Sequence, residues 1–121
     1  MSTTRAAQEE RSTDRLADWN ERLLVDYLDE VAVKSGDDIA IVDHGYRGVS
    51  RETLSFSELR NRVDNIAWGL VELGIERGDI VSVQLPNWWH LIAVHLACLR
   101  IGAVTNPLMP IFRERELSFM L

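Results

Sequence analysis

Few side chains in these 121 residues could do chemistry: His44, His90 and His95, the single lysine Lys34, the single cysteine Cys98, and the carboxylates Asp37, Asp38 and Asp43 around one apolar run. Histidines four apart on a helix share a face and can chelate zinc. His90 and His95 are five apart and fall on different faces, so no metal site is expected. A histidine base needs a carboxylate to orient it, and none stands at a useful spacing. The seven glycines are scattered, the nearest pair being Gly45 and Gly48, and no glycine-rich loop precedes Lys34. Lys34 therefore reads as a solvated residue favoured by the carboxyl end of a helix. Cys98 lies among apolar neighbours and suits packing in a reducing compartment, which makes the cytoplasm the expected location. Asp37, Asp38 and Asp43 read as turn and surface groups. Trp88 and Trp89 follow the carboxyl end of a strand, where open α/β sheets bind ligands, but large aromatics heading an apolar helix usually belong to the core. No catalytic residue and no metal ligand is assigned.

The elements that would position these groups are more explicit. A helix is expected from about Asn20, with Asn20 as its cap and Leu24, Tyr27, Leu28, Val31 and Ala32 as its apolar stripe, ending at Gly36. Ile39 to Val42 reads as a strand, and His44 to Gly48 as a turn into a second strand ending near Leu54, hence a hairpin. Ser55 and Glu58 have the spacing of a capping box, and Leu54 and Leu59 that of a hydrophobic staple. Leu59, Val63, Ile66, Ala67 and Leu70 then form a stripe expected to face a sheet, and Gly74 with Ile75 forms a Schellman ending.

Ile80 to Leu85 is a β-rich run halted by Pro86, with Asn87 as the expected cap of an apolar helix from Trp88 to Arg100. Gly102 ends that helix and Ala103 to Asn106 makes another strand. Strand, helix, strand demands parallel pairing, so the core is α/β. Beyond Pro107 and Pro110, Glu114 to Leu121 begins a further amphipathic segment.

Composition sets the outer limits. With 46% apolar and 26% charged residues the chain is that of an ordinary globular protein. A net charge of −6 argues against a nucleic-acid partner. The most apolar window, Trp88 to Leu99, is too short to span a bilayer. Residues 1–18 carry mixed charge with no apolar run and are expected to form a flexible arm.

Leu54-Ser55-Phe56-Ser57-Glu58-Leu59, Gly74 to Asp79, Leu85-Pro86-Asn87 and Leu99 to Pro107 occur in the order and at the distances seen in the N-terminal region of adenylate-forming enzymes. The chain from about residue 19 to 121 resembles that superfamily of acyl-CoA synthetases, luciferases and peptide-synthetase adenylation domains. Asn106-Pro107-Leu108 is more similar to the acyl-CoA synthetase branch. The resemblance implies an incomplete three-layer, parallel-sheet portion of an AMP-binding domain. It also implies an enzyme that uses ATP, Mg²⁺ and CoA to turn a carboxylic acid into an acyl-CoA through an acyl adenylate, as in fatty acid metabolism.

The phosphate loop, the nucleotide contacts and the catalytic lysine of that family have no counterpart in this sequence. The expectation is thus an inactive N-terminal fragment that binds no cofactor alone and partners with the remainder of the adenylation domain or with itself. The resemblance places Met109, Pro110 and Ile111 at a loop on the CoA side. The competing expectation is a free-standing module that docks on a full-length ligase or another protein.

Overall fold

A computed structural model describes residues 22–45 and 51–121; the expected arm, Asn20 and residues 46–48 of the expected turn His44 to Gly48 lie outside these. The order is α1 (Leu24–Lys34), β1 (Ile39–Asp43), β2 (Glu52–Ser55), α2 (Phe56–Glu72), β3 (Ile80–Val83), α3 (Trp89–Ile101), β4 (Val104–Pro107) and α4 (Glu114–Met120). β1 and β2 pair antiparallel, with an irregularity between Ile39 and Ile41. β3 and β4 pair parallel in the register Ile80–Val104, Val81–Thr105, Ser82–Asn106 and Val83–Pro107. The expected hairpin and α/β unit are both present.

The locally encoded ends of α2 form as read. Ser55 Oγ accepts the Glu58 N–H at 3.2 Å while Glu58 Oε2 accepts the Ser55 N–H at 2.8 Å, so two donors that the helix start leaves open are satisfied reciprocally. At the other end Ile75 N–H donates to Leu70 O and Gly74 N–H to Val71 O, the two bonds of a Schellman motif. Gly74 sits at φ +88°, where a Cβ would be strained. The same pair of bonds closes α3, from Ala103 to Cys98 and from Gly102 to Leu99. Leu54 and Leu59, the expected staple, are both buried.

Leu28, Leu54, Leu59, Val63, Ala67, Trp89, Ala93, Leu96 and Ala97 make one core cluster. The α2 stripe packs chiefly against α3, and it also meets the first sheet as its spacing suggested, through Leu54 of β2 within the cluster and Ala40 and Ile41 of β1 beside it. Alanines at 93 and 97 on α3, both fully buried, let the two helices approach. On α1 the buried positions are Val25, Leu28 and Ala32, while Leu24 and Tyr27 are exposed, so the helix is rotated from the expected stripe. α1 begins without a side-chain cap; instead Asp26 Oδ2 accepts the Leu23 N–H at 2.8 Å.

Three acidic and basic groups join the helices outside the core. Arg100 of α3 donates to both carboxylate oxygens of Asp29 on α1, at 2.9 and 2.7 Å, and its Nε lies 2.8 Å from Asp64 Oδ1 on α2. The guanidinium holds the Asp29 carboxyl below its ordinary range. A single planar fork thus bridges three helices.

Parallel sheets are normally covered on both faces, and this one is not. Ile80 and Val104, paired side by side, are 67% and 53% exposed. No helix among the described residues is long and apolar enough to cross a membrane.

Candidate functional site

Ligands of open α/β sheets collect at the carboxyl ends of the strands. Here that edge is formed by Val83 and Pro107 with the segments that follow each, 84–88 and 108–113. The second segment is anchored twice. Leu108, buried, donates its N–H to Val83 O at 2.8 Å. Gln84, the first residue after β3, donates from its amide nitrogen to Met109 O at 2.9 Å and to Phe112 O at 3.0 Å, across a turn that Phe112 N–H closes onto Met109 O. Gln84 falls outside the strand, which is shorter than the expected Ile80 to Leu85. Its side chain is engaged with the loop instead.

The loop residues singled out in the sequence divide. Met109 and Ile111 project into solvent, while Pro110 joins Gly45, Pro86, Asn87 and Trp88 around a cleft of about 290 Å³. A neighbouring cleft of about 310 Å³ continues along Ile41 to Gly45, Asn87, Trp88, Trp89 and Ile92. A larger concavity of about 510 Å³ lies elsewhere, between the end of α1 and the start of α2. Of its backbone donors, Ser35 N–H goes to Val31 O, Asp38 N–H to Ser35 O and Ser57 N–H to Gly36 O.

Asp43 is the principal correction to the sequence reading. Asn87, expected to cap α3, sits instead in a tight turn in which Trp88 N–H donates to Pro86 O at 2.7 Å, and the helix starts at Trp89. The cap comes from another element: Asp43 Oδ2 at the end of β1 accepts the Trp89 N–H at 2.9 Å, and Oδ1 accepts Gly45 N–H at 2.8 Å. These backbone donors, Trp89 first, pull the Asp43 carboxyl below its ordinary value.

A depressed folded-state value means the carboxylate's contribution is fully present above the unfolded value and fades as pH falls through the lowered one. Asp43→Ala should therefore speed amide exchange at Trp89 at neutral pH, and acidifying the unaltered chain should weaken the same protection. Unchanged exchange at Trp89 in Asp43→Ala would remove Asp43 from this role.

Trp89 itself is buried, as expected of a packing residue, yet it is also tied by polar contacts. Its Nε1 donates to Glu52 Oε2 at 2.7 Å, Arg62 lies 4.3 Å over its ring and donates to Glu52 Oε1 at 2.6 Å, and His90 stacks on it at 3.7 Å. Trp88 is half-buried and lines both clefts.

Of the remaining candidates, His44 lines the second cleft and His90 stacks on Trp89, while Lys34, His95 and Cys98 stay apart from this edge. Lys34 pairs with Glu30 four residues back and, with Arg22, holds the Glu30 carboxyl at about 2. His44, His90 and His95 are exposed, with His95 3.0 Å from Thr105 Oγ1 on β4. Cys98 is fully buried. Among the described residues no group of three or more His, Cys, Asp and Glu could hold a metal ion. The edge can present a shaped apolar cleft and a fixed loop. It brings together no nucleophile and base.

Comparison with known proteins falls on the same stretch. The sequence model of the family described as "AMP-binding enzyme" matches residues 28–121. The medium-chain fatty-acid–CoA ligase of Escherichia coli (strain K12) is 38% identical over 104 residues, covering 85% of this chain and 17% of that protein. A Streptomyces protein named salicylyl-CoA synthase / salicylate adenylyltransferase is 38% identical over 102 residues, covering 84% and 17%. The crystal structure of VinN superposes with a TM-score of 0.71 at 28% identity, covering 79% of this chain and 24% of that one. The chain thus spans about a sixth of the length of these curated relatives.

Proposed function

This chain belongs to the AMP-binding enzyme family of adenylate-forming ligases, and we propose that it is the N-terminal scaffold of an ATP-dependent acyl-CoA synthetase. In that reaction a carboxylic acid attacks ATP to give an acyl adenylate and pyrophosphate, and the CoA thiol then displaces AMP to give the thioester. Identity to the fatty-acid–CoA ligase over 85% of the chain carries this reading, together with Asn106-Pro107-Leu108 at the end of β4. The proposal puts Met109, Pro110 and Ile111 on the CoA side, and it covers the bare Ile80 and Val104 face with the remainder of the adenylation domain. It places the protein in the cytoplasm.

The part of the work done by these residues is positional. α2 and α3, locked by the core and by Arg100, fix β3 and β4 so that the segments after both strands emerge together. ATP, Mg²⁺ and the reacting carboxylate meet their chemical partners outside this chain, so the 121 residues alone form no thioester.

A chimera tests this. When these residues replace the matching segment of the Escherichia coli ligase, the folded chimera should form medium-chain acyl-CoA from acid, ATP and CoA. A chimera that folds and makes none would contradict the proposal and favour a docking module.

A further inference from the structure

The Gln84 side chain spends both of its amide N–H donors on one loop. Its two partners, Met109 O and Phe112 O, are both carbonyl acceptors, which settles the orientation of the amide: the nitrogen must face them. Met109 O also accepts the Phe112 N–H, so the four-residue turn is closed internally and clamped externally at the same place. Just before it, the backbone bond from Leu108 to Val83 fixes where the loop leaves the sheet. Two apolar side chains, Met109 and Ile111, are held in water at this edge, 57% and 69% exposed, instead of collapsing onto the body. Gln84 is itself exposed and is not a member of the core cluster, and the side-chain bonds it makes all go to this loop.

We propose that Gln84 is a positioning residue for the CoA-dependent half of the reaction, holding residues 109–112 in the shape that meets CoA. The inference rests on the functional reading above. It separates the two half-reactions: adenylate formation does not use this loop, whereas capture by the thiol does.

The test uses the chimera just described. Gln84→Leu keeps the bulk of the side chain and removes both donors. It should raise KM for CoA about five- to tenfold, the scale of one or two lost hydrogen bonds, with kcat and acid-dependent ATP–pyrophosphate exchange unchanged. Gln84→Lys, whose ammonium can donate to both carbonyls, should recover most of the loss, and Gln84→Glu, an acceptor, should not.

On the 121-residue chain Gln84→Leu should speed amide exchange at Phe112 and leave thermal stability near that of the unaltered protein. An active chimera in which Gln84→Leu leaves KM for CoA unchanged overturns the inference alone. So does equal damage to both half-reactions, or unaltered exchange at Phe112. A folded, unsubstituted chimera that makes no thioester overturns the functional reading, and this inference with it.

Discussion

Trp89→Ala is expected to lower the unfolding free energy by about 4 kcal/mol, the usual range for emptying a buried tryptophan site. The ring is 8% exposed and belongs to the cluster that joins α2 to α3. Its removal leaves a cavity between α2 and α3, and its neighbours along the same face of α3, Ala93 and Ala97, are too small to close it. It also strips Glu52 of the indole donor and Arg62 of the aromatic face beneath it. Because domains of this size are stable by only about 5–15 kcal/mol, much of the folded population is at stake. Trp89→Phe keeps most of the packing and loses the indole N–H, so its cost should be nearer 1–2 kcal/mol. Urea denaturation followed by circular dichroism separates the two. A Trp89→Ala loss below about 1 kcal/mol would mean that α2 and α3 do not depend on this side chain.

The second large effect concerns Arg100. Arg100→Leu should cost about 2 kcal/mol, less than the 3–5 typical of breaking a fully buried pair, because Asp29 and Asp64 remain 43% and 49% exposed and water compensates them in part. What is lost is a bridge across three helices, so the variant should also exchange amides faster along α1, which reaches the core through only Val25, Leu28 and Ala32. Arg100→Lys offers one ammonium where the fork satisfied Asp29 bidentately and reached Asp64, and it should recover less than half. Added salt should narrow the gap between the unaltered chain and Arg100→Leu. If Arg100→Leu and the unaltered chain share one denaturation midpoint, the clamp is not a stabilising element.

Asp43, Arg100 and Gln84 mark where the sequence ceased to be readable. Devices written within one helical turn were legible, because the partners lie three to five residues apart: Ser55 with Glu58, Gly74 and Ile75 with Leu70 and Val71. The α/β order was legible for a related reason, since strand, apolar helix and strand leave parallel pairing as the short solution.

Contacts between distant residues were not. Asp43 meets Trp89 across 46 positions, Arg100 meets Asp29 across 71, and Gln84 meets Met109 across 25. Asn87 shows how a sound local preference is overridden: a good capping residue was drawn into the Pro86 turn once Asp43 supplied the acceptor from another strand. The rotation of α1 has a similar origin, because two apolar registers were available there and only packing against α2 and α3 could choose between them.

For the candidate site, Pro110 and Trp88 were legible as residues of the strand-end loops, and their convergence on one cleft was not, since it depends on how Gln84 folds the loop back. The absence of catalytic residues from the sequence reading accords with the proposed role, in which this segment holds and shapes while the reacting groups are supplied by the remainder of the ligase.

The most direct measurement is acid-dependent ATP–pyrophosphate exchange, run on the 121-residue chain and on the ligase chimera side by side. The account predicts exchange by the chimera and none by the chain. Exchange catalysed by the chain alone would contradict it.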